Sequence, residues 1–424
     1  MRWTKKATVT AVVVAAAAVG IPLAVVELNQ RDSQTTATPP APTTAAATSA
    51  QPTESAGVPW VGTWAVAVHS GEEGFERQTL RQIVRTSIGG QAVRVRLSNE
   101  FGEQPLTVQN VHLAKHVSTG RIDPSTDKTA TFGGDTSVTI APGETAVSDA
   151  VEFAAAAEGD IAVSAYLPSG TGAATKHDLA NRDNWVVDGD QTNRAELSGA
   201  RKTGSYYFLA GLDVQNPEAA GSVVALGASI TDGFGSAYNG NRRWPDLLAA
   251  RLNDSGRTVG VLNAGIKGNM LLKDWAGQSA LNRFERDVLA QPGVKWVIVS
   301  DDPLNDLGGA NPPSGDELIA GLRQLVDRSH GAGVQVLCST LTPFEGAGYW
   351  SERGEQGRKQ VNDFIRGADS GCDAVVDQDT ATHDPNSPTR YLRAYDSGDR
   401  LHPNDAGMTA IAEAVSLDAF GPAS

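Results

Sequence analysis

The sequence predicts an α/β protein in two bodies: an all-β sandwich or jelly roll over residues 59–218, then a layered α/β/α domain around a parallel sheet over residues 219–424. Three observations carry this expectation. The chain has 424 residues, more than one hydrophobic core ordinarily serves. From about residue 60 to residue 214 the apolar pattern has period two and is broken repeatedly by Gly, Pro, Asn and Asp, as in a series of short antiparallel strands. After Gly221 it changes to apolar runs alternating with amphipathic segments, the signature of a parallel sheet covered by helices on both faces.

The elements follow in chain order. Arg2, Lys5 and Lys6 precede twenty uncharged, mostly apolar positions at 7–26, the arrangement of an export signal within residues 1–32. The stretch is nearly long enough to span a bilayer, and no convincing A-x-A cleavage site follows it before Glu27. A cleaved signal peptide and an uncleaved anchor, tethering the chain to the membrane through residues 7–26, both stay open. The basic flank stays inside in either case, so the expected location is extracytoplasmic: secreted, or on the outer face of the cytoplasmic membrane. Residues 33–58 are dominated by Thr, Ala, Pro and Ser, which bury too little apolar surface to fold and read as a flexible linker.

In the first body, residues 93–97 alternate as Val-Arg-Val-Arg-Leu, and residues 137–140 alternate up to a turn at Pro142-Gly143. Similar runs at 83–87, 108–113, 161–167 and 206–209 complete the pattern of a sandwich. Arg94 and Arg96 are read as the wet face of their strand. In the second body the strand candidates are 223–226, 259–262, 294–299, 334–339 and 373–376. Between them, Trp244, Leu247, Leu248 and Leu252 share one helical face, as do Leu281, Phe284 and Val288, and then Leu318, Leu322 and Leu325. Ser314 and Glu317 have capping-box spacing, and Gly331 and Gly333 stop that helix. A final helix is expected from about 404 to 420.

Composition excludes several functions. The formal charge is −14, from 35 basic and 49 acidic residues. Deleting residues 1–58 removes four basic and three acidic residues from those totals and leaves −15. Such a chain offers no footprint for a phosphate backbone, so nucleic acid is not an expected partner. Its 2 cysteines exclude a multi-cysteine metal site. In an oxidising compartment Cys338 and Cys372 form at most one bridge, the alternative being two separate buried thiols. Asp377-Gln378-Asp379 fails as a calcium loop, because Thr382 and Pro388 stand where Gly and Glu are needed.

The chemistry lies just beyond the strands, where parallel sheets place their ligands. The first strand runs into Gly227-Ala228-Ser229-Ile230-Thr231-Asp232-Gly233, a serine set in a strand-to-helix turn. This is not the G-x-S-x-G elbow, since Thr231 stands in place of its second glycine, and no G-x-G-x-x-G is present. Near the end, Asp399 precedes His402 by three residues. That spacing lets the carboxylate hold one imidazole nitrogen while the other faces a nucleophile. His69, His112, His116, His177, His330 and His383 are read as ordinary core or surface residues. The loops after the second and third strands supply an N–H at Gly268 and the side-chain amide of Asn305, two donors for a developing oxyanion.

Serine, glycine, asparagine and histidine in this order, as Ser229, Gly268, Asn305 and His402 with Asp399, resemble the four blocks of the SGNH, or GDSL-type, hydrolase superfamily. The resemblance implies a three-layer, flavodoxin-like fold with a Ser229–His402–Asp399 triad. It also implies an oxyanion hole made by Ser229, Gly268 and Asn305, with no metal or organic cofactor required. Trp60-Val61-Gly62-Thr63-Trp64-Ala65 and the segments 78–85, 241–245 and 341–346 look like the secreted bacterial branch with an N-terminal jelly roll, often classed with xylan and other carbohydrate esterases. The implied activity is that of a monomeric serine esterase cleaving short acyl esters, with acylated polysaccharide as the first expected substrate.

Two positions depart from the family pattern. Ala228 stands where the family usually has aspartate, and Pro303 where its third block begins with glycine. Proline fixes φ and has no N–H, so the loop holding Asn305 is expected to be shaped differently. The departures keep two alternatives open: acyl transfer on the same fold, and a catalytically degenerate glycan-binding surface protein.

Overall fold

The computed structural model describes residues 57–422. The expected signal segment, and all but the last two residues of the expected linker, lie outside the described residues. No helix among the described residues is long and apolar enough to cross a membrane.

The period-two region forms two antiparallel sheets. One has the order β1(Trp60–Ala65), β8(Leu209–Gln215), β3(Gly90–Ser98), β5(Val151–Ala155). The other is built on β7(Asn184–Asp188), β2(Gln78–Arg85), β6(Asp160–Leu167) and β4(Leu106–Ser118). Alternate residues of both sheets, among them Val93, Val95 and Leu97 from β3 and Leu80, Val84 and Val163 from β2 and β6, share one core, as in a β-sandwich. Arg94 and Arg96 do not form a wet face. Both form ion pairs with the fully buried Asp213, at 2.9 and 3.1 Å, and Arg94 lies over the Trp60 ring. A buried carboxylate on the neighbouring strand needs these cations.

The second sheet is parallel, in the order β10(Val259–Gly265), β9(Gly221–Gly227), β11(Val294–Val299), β12(Gln335–Ser339), β13(Ala374–Val376). In chain order this is 2-1-3-4-5, the flavodoxin-like arrangement, whose switch point lies between β9 and β11. All five predicted strands are present within a few residues of their expected limits. The helices α1(Ser229–Asp232), α2(Trp244–Asp254), α3(Ala280–Phe284), α4(Asp302–Asp306), α5(Gly315–Gly331), α6(Glu352–Arg366), α7(Gln378–Thr382) and α8(Asp405–Ala414) connect the strands and close the chain. Ser314 and Glu317 form the expected capping box of α5. Three details differ from expectation. The second amphipathic stretch passes from α3 into a π-helical turn, Glu285–Leu289. The final helix ends at Ala414, and a separate 3₁₀ turn carries Leu417–Phe420. Helix α6 was not expected, because Gly354 and Gly357 dilute its apolar stripe. Its Ser351 cap, which accepts from the Gly354 N–H at 3.0 Å, was the available signal.

The two bodies pack into one compact unit. Gly62 N–H donates to Pro292 O at 2.9 Å, Val261 N–H to Ser87 Oγ at 2.9 Å, and Arg286 of the α/β body pairs with Glu100 of the sandwich. Cys338 at the end of β12 is joined to Cys372 just before β13.

Candidate active site

Gly227 closes β9 and the chain turns at once into α1, so Ser229 sits beyond the carboxyl end of the strand, at the switch point. The turn requires glycine at 227: a Cβ there would lie 2.1 Å from Thr231 Oγ1 and 2.4 Å from Asp301 Oδ1. Ser229 Oγ is 2.8 Å from His402 Nε2, and His402 Nδ1 is 2.6 Å from Asp399 Oδ2. The second oxygen of Asp399 accepts the His402 and Leu401 N–H groups at 2.9 and 3.0 Å. Burial works against the charge on Asp399, but the bonds from His402 and Leu401 outweigh it and hold the carboxyl below its ordinary range. An ionised carboxylate at Nδ1 sets the tautomer that turns the Nε2 lone pair toward serine. Phe234 packs on the imidazole with ring centroids 4.5 Å apart.

The three expected oxyanion donors lie beyond the carboxyl ends of β9, β10 and β11. Gly268 follows β10 in a left-handed conformation, φ +81°. Its N–H and that of Ser229 donate to no protein group among the described residues. Asn305, in α4 after β11, donates one amide proton to Asn269 O at 2.9 Å and keeps the other available. The Tyr349 hydroxyl donates to Asn305 Oδ1 at 3.2 Å, which fixes the sense of the amide. The structure thus brings Ser229, His402 and Asp399 into one hydrogen-bonded chain and leaves the required N–H donors unspent. Cys338 and Cys372 lie outside this constellation, on the sheet edge.

Neither family departure empties the site. Asp301, just after β11, accepts the Ala228 N–H at 3.0 Å, the Ile230 N–H at 2.8 Å, and both the N–H and the hydroxyl of Thr231 at 3.2 and 2.5 Å. A carboxylate from the loop after β11 therefore braces the nucleophile turn that an aspartate at 228 would otherwise support. The departure from the glycine elbow at Thr231 has the same explanation, because its hydroxyl is one of the groups bound. Pro303 falls in the first turn of α4, where a missing N–H removes no helical bond. The expected distortion at Pro303 is a one-turn helix that still presents Asn305.

Arg283 ties the blocks together from below. Fully buried, it donates to Gly227 O, Ala264 O, the Asn269 side chain, Asp287 and Asp302. Burial pushes the Asp302 carboxyl up to about 7, with Asp301 and Asp306 adding to the effect and Arg283 opposing it. Sequence reading missed Asp301, Phe234, Tyr349 and Arg283. Only Asp301 carried a signal, as one of two acidic residues directly after a strand.

Residues 225–410 match the GDSL-like Lipase/Acylhydrolase family, and the chain thus carries a GDSL-like hydrolase domain behind a β-sandwich. No curated protein matches it. Among solved structures it is similar to LAE5, an alpha/beta hydrolase enzyme from the metagenome of Lake Arreo, at 24% identity over 49% of this chain and 98% of that one, TM-score 0.37. It is similar to a GDSL-like lipase from Bacteroides thetaiotaomicron at 17% identity, over 47% and 87% of the two chains, TM-score 0.36. A third is the acetyl xylan esterase AlAXEase, at 21% identity over 46% and 96%, TM-score 0.34.

Proposed function

We propose that the chain is a serine esterase that cleaves short acyl esters, carried in the first instance on carbohydrate. The observation that carries this reading is the 2.8 Å contact of Ser229 Oγ with His402 Nε2, beside N–H groups of Ser229 and Gly268 that no protein acceptor uses. Ser229 Oγ attacks the ester carbonyl carbon as its proton passes to His402 Nε2. The oxyanion takes hydrogen bonds from Ser229 N–H, Gly268 N–H and the second Asn305 amide proton. Collapse breaks the ester C–O bond, His402 returns the proton to the departing alcohol, and an acyl-Ser229 remains. Water, deprotonated by His402, then releases the carboxylic acid and restores the serine.

A cavity of about 410 Å³ beside the oxyanion turn is lined by His69, Ser70, Asp178, Lys267, Trp275 and their neighbours. Trp275 is 79% exposed. An exposed indole among hydrogen-bonding groups suits the apolar face and hydroxyl rim of a sugar ring, which supports the carbohydrate reading. The basic start, the apolar stretch at 7–26 and the Cys338–Cys372 bridge support an extracytoplasmic location.

The test is labelling of the purified chain by a fluorophosphonate probe, read by intact mass, with Ser229→Ala as control. Turnover of aryl acetates, longer aryl esters and acetylated oligosaccharides is measured beside it. Labelling lost in the variant, with release of acetate, is the expected result; a wild type that neither labels nor turns over sinks the proposal.

A further inference from the structure

His177 belongs to the sandwich, at the end of the short strand Thr175–His177, yet its ring reaches the nucleophile helix of the other body. Nδ1 is 2.9 Å from Ala67 O, and Nε2 is 3.2 Å from Leu179 O and 3.1 Å from Asp232 Oδ1. All three partners are acceptors. A neutral imidazole has one N–H and one lone pair, so one nitrogen would oppose its lone pair to that of an oxygen. An imidazolium, with a proton on each nitrogen, satisfies all three oxygens at once, and His177 is 2% exposed, at the wall of the cavity lined also by His69, Asp178 and Lys267.

Asp232 is the other half of the pair. It ends α1, three residues after Ser229, and its own N–H donates to Ala228 O at 2.8 Å. Its Oδ2 accepts the Lys267 N–H at 2.8 Å, one residue before Gly268. The end of β10 lies directly against it, since a Cβ on Gly265 would be 2.3 Å from Asp232 N. One buried carboxylate thus fixes the nucleophile helix and the oxyanion turn relative to each other. A carboxylate 2% exposed is costly unless a cation faces it, and that cation comes from the sandwich.

We propose that His177, as an imidazolium paired with Asp232, is a positioning residue of the oxyanion hole, which makes the sandwich part of the active-site framework. The proposal rests on the esterase reading and adds that the second body is needed for turnover. His177 touches neither Ser229 nor the substrate. It acts through Asp232 on the Lys267-Gly268 turn and on α1.

The test uses the full chain as wild type, His177→Gln, and His177→Gln with Asp232→Asn. On an aryl acetate, His177→Gln is expected to lower kcat by about tenfold, a fraction of the hundredfold that loss of a whole oxyanion donor costs, while KM moves by less than about twofold. The double variant is expected to recover part of kcat, because the neutral pair keeps an acceptor for the Lys267 N–H and needs no counter-charge. A His177→Gln enzyme with wild-type kcat overturns the proposal. So does an equal loss in the single and double variants that tracks lower thermal stability, since that marks a packing role alone. Imidazole ¹⁵N shifts of the wild type need no variant: His177 doubly protonated at neutral pH is expected, and a neutral ring overturns the proposal. A wild type with no labelling at Ser229 and no turnover overturns the esterase reading instead, and the ¹⁵N result then still decides the charge of His177.

Discussion

Asp301 and Ala228 are joined across the switch point by a 3.0 Å hydrogen bond from the backbone N–H of one to the carboxylate of the other. The same carboxylate takes the N–H groups of Ile230 and Thr231 and passes over that of Ser229, which stays available to an oxyanion. Support for the nucleophile turn has moved from the turn itself to the loop after the neighbouring strand.

Removing that brace should cost both fold and turnover. Asp301→Ala leaves three N–H groups without their acceptor, each worth about 1–3 kcal/mol when buried. We expect a loss of about 3 kcal/mol or more in denaturant unfolding and a kcat lowered at least about tenfold, in line with a weakened oxyanion donor. Restoring aspartate by Ala228→Asp should also destabilise, because it sets a second carboxylate in a fully buried position beside Asp301.

The oxyanion amide and its support should separate by magnitude. Asn305→Ala should lower kcat about a hundredfold with KM little changed. Tyr349→Phe keeps the amide and removes only the bond that orients it, worth about 1 kcal/mol, so a several-fold loss is expected. Steady-state kinetics on one aryl ester checks both, and equal losses would refute the assigned order.

The His177–Asp232 pair predicts a pH dependence with a defined sign. Burial and Arg243 work against the imidazolium, but the Asp232 carboxylate and the Ala67 carbonyl outweigh them and raise its pKa; Tyr206 packs on the same ring. A raised folded value contributes stability that is fully present below the unfolded value of about 6.5 and is lost as pH rises through the folded one. The melting-temperature gap between wild type and His177→Gln should therefore be widest near about pH 6 and close on the alkaline side. A gap independent of pH would contradict the pairing.

The disulfide should matter for stability and little for chemistry. Cys338 and Cys372 are 34 residues apart, and closing a loop of that size restrains the unfolded chain by about 4 kcal/mol. Cys338→Ser with Cys372→Ser should lower the denaturant midpoint accordingly. Its kcat at a temperature where it stays folded should match the wild type.

The candidate residues that sequence places after the strands share one property: each follows an apolar run that had to be a buried parallel strand. Ser229, Gly268 and Asn305 could be placed because the loop after such a strand opens at the ligand end of the sheet. Asp399 and His402 could be paired because three residues set their distance locally. Asp301 could not be assigned, since its partners lie 70 to 73 residues away and nothing in a local pattern names them. His177 read as an ordinary histidine for the same reason, its charge being set by Asp232, 55 residues on. Arg94 and Arg96 alternate as a solvent face should, and only the fold brings Asp213 beneath them.

The sequence by itself determined the two bodies, the strands of the parallel sheet and the candidates for nucleophile, base and oxyanion donors. Those properties follow from periodicity and from spacing within single loops. The tertiary structure alone decided what holds them in place: the brace from Asp301, the hub of Arg283 and the cation that the sandwich lends to Asp232. These are buried charges, and a buried charge is stable only where a partner from a distant segment meets it, which local sequence does not specify.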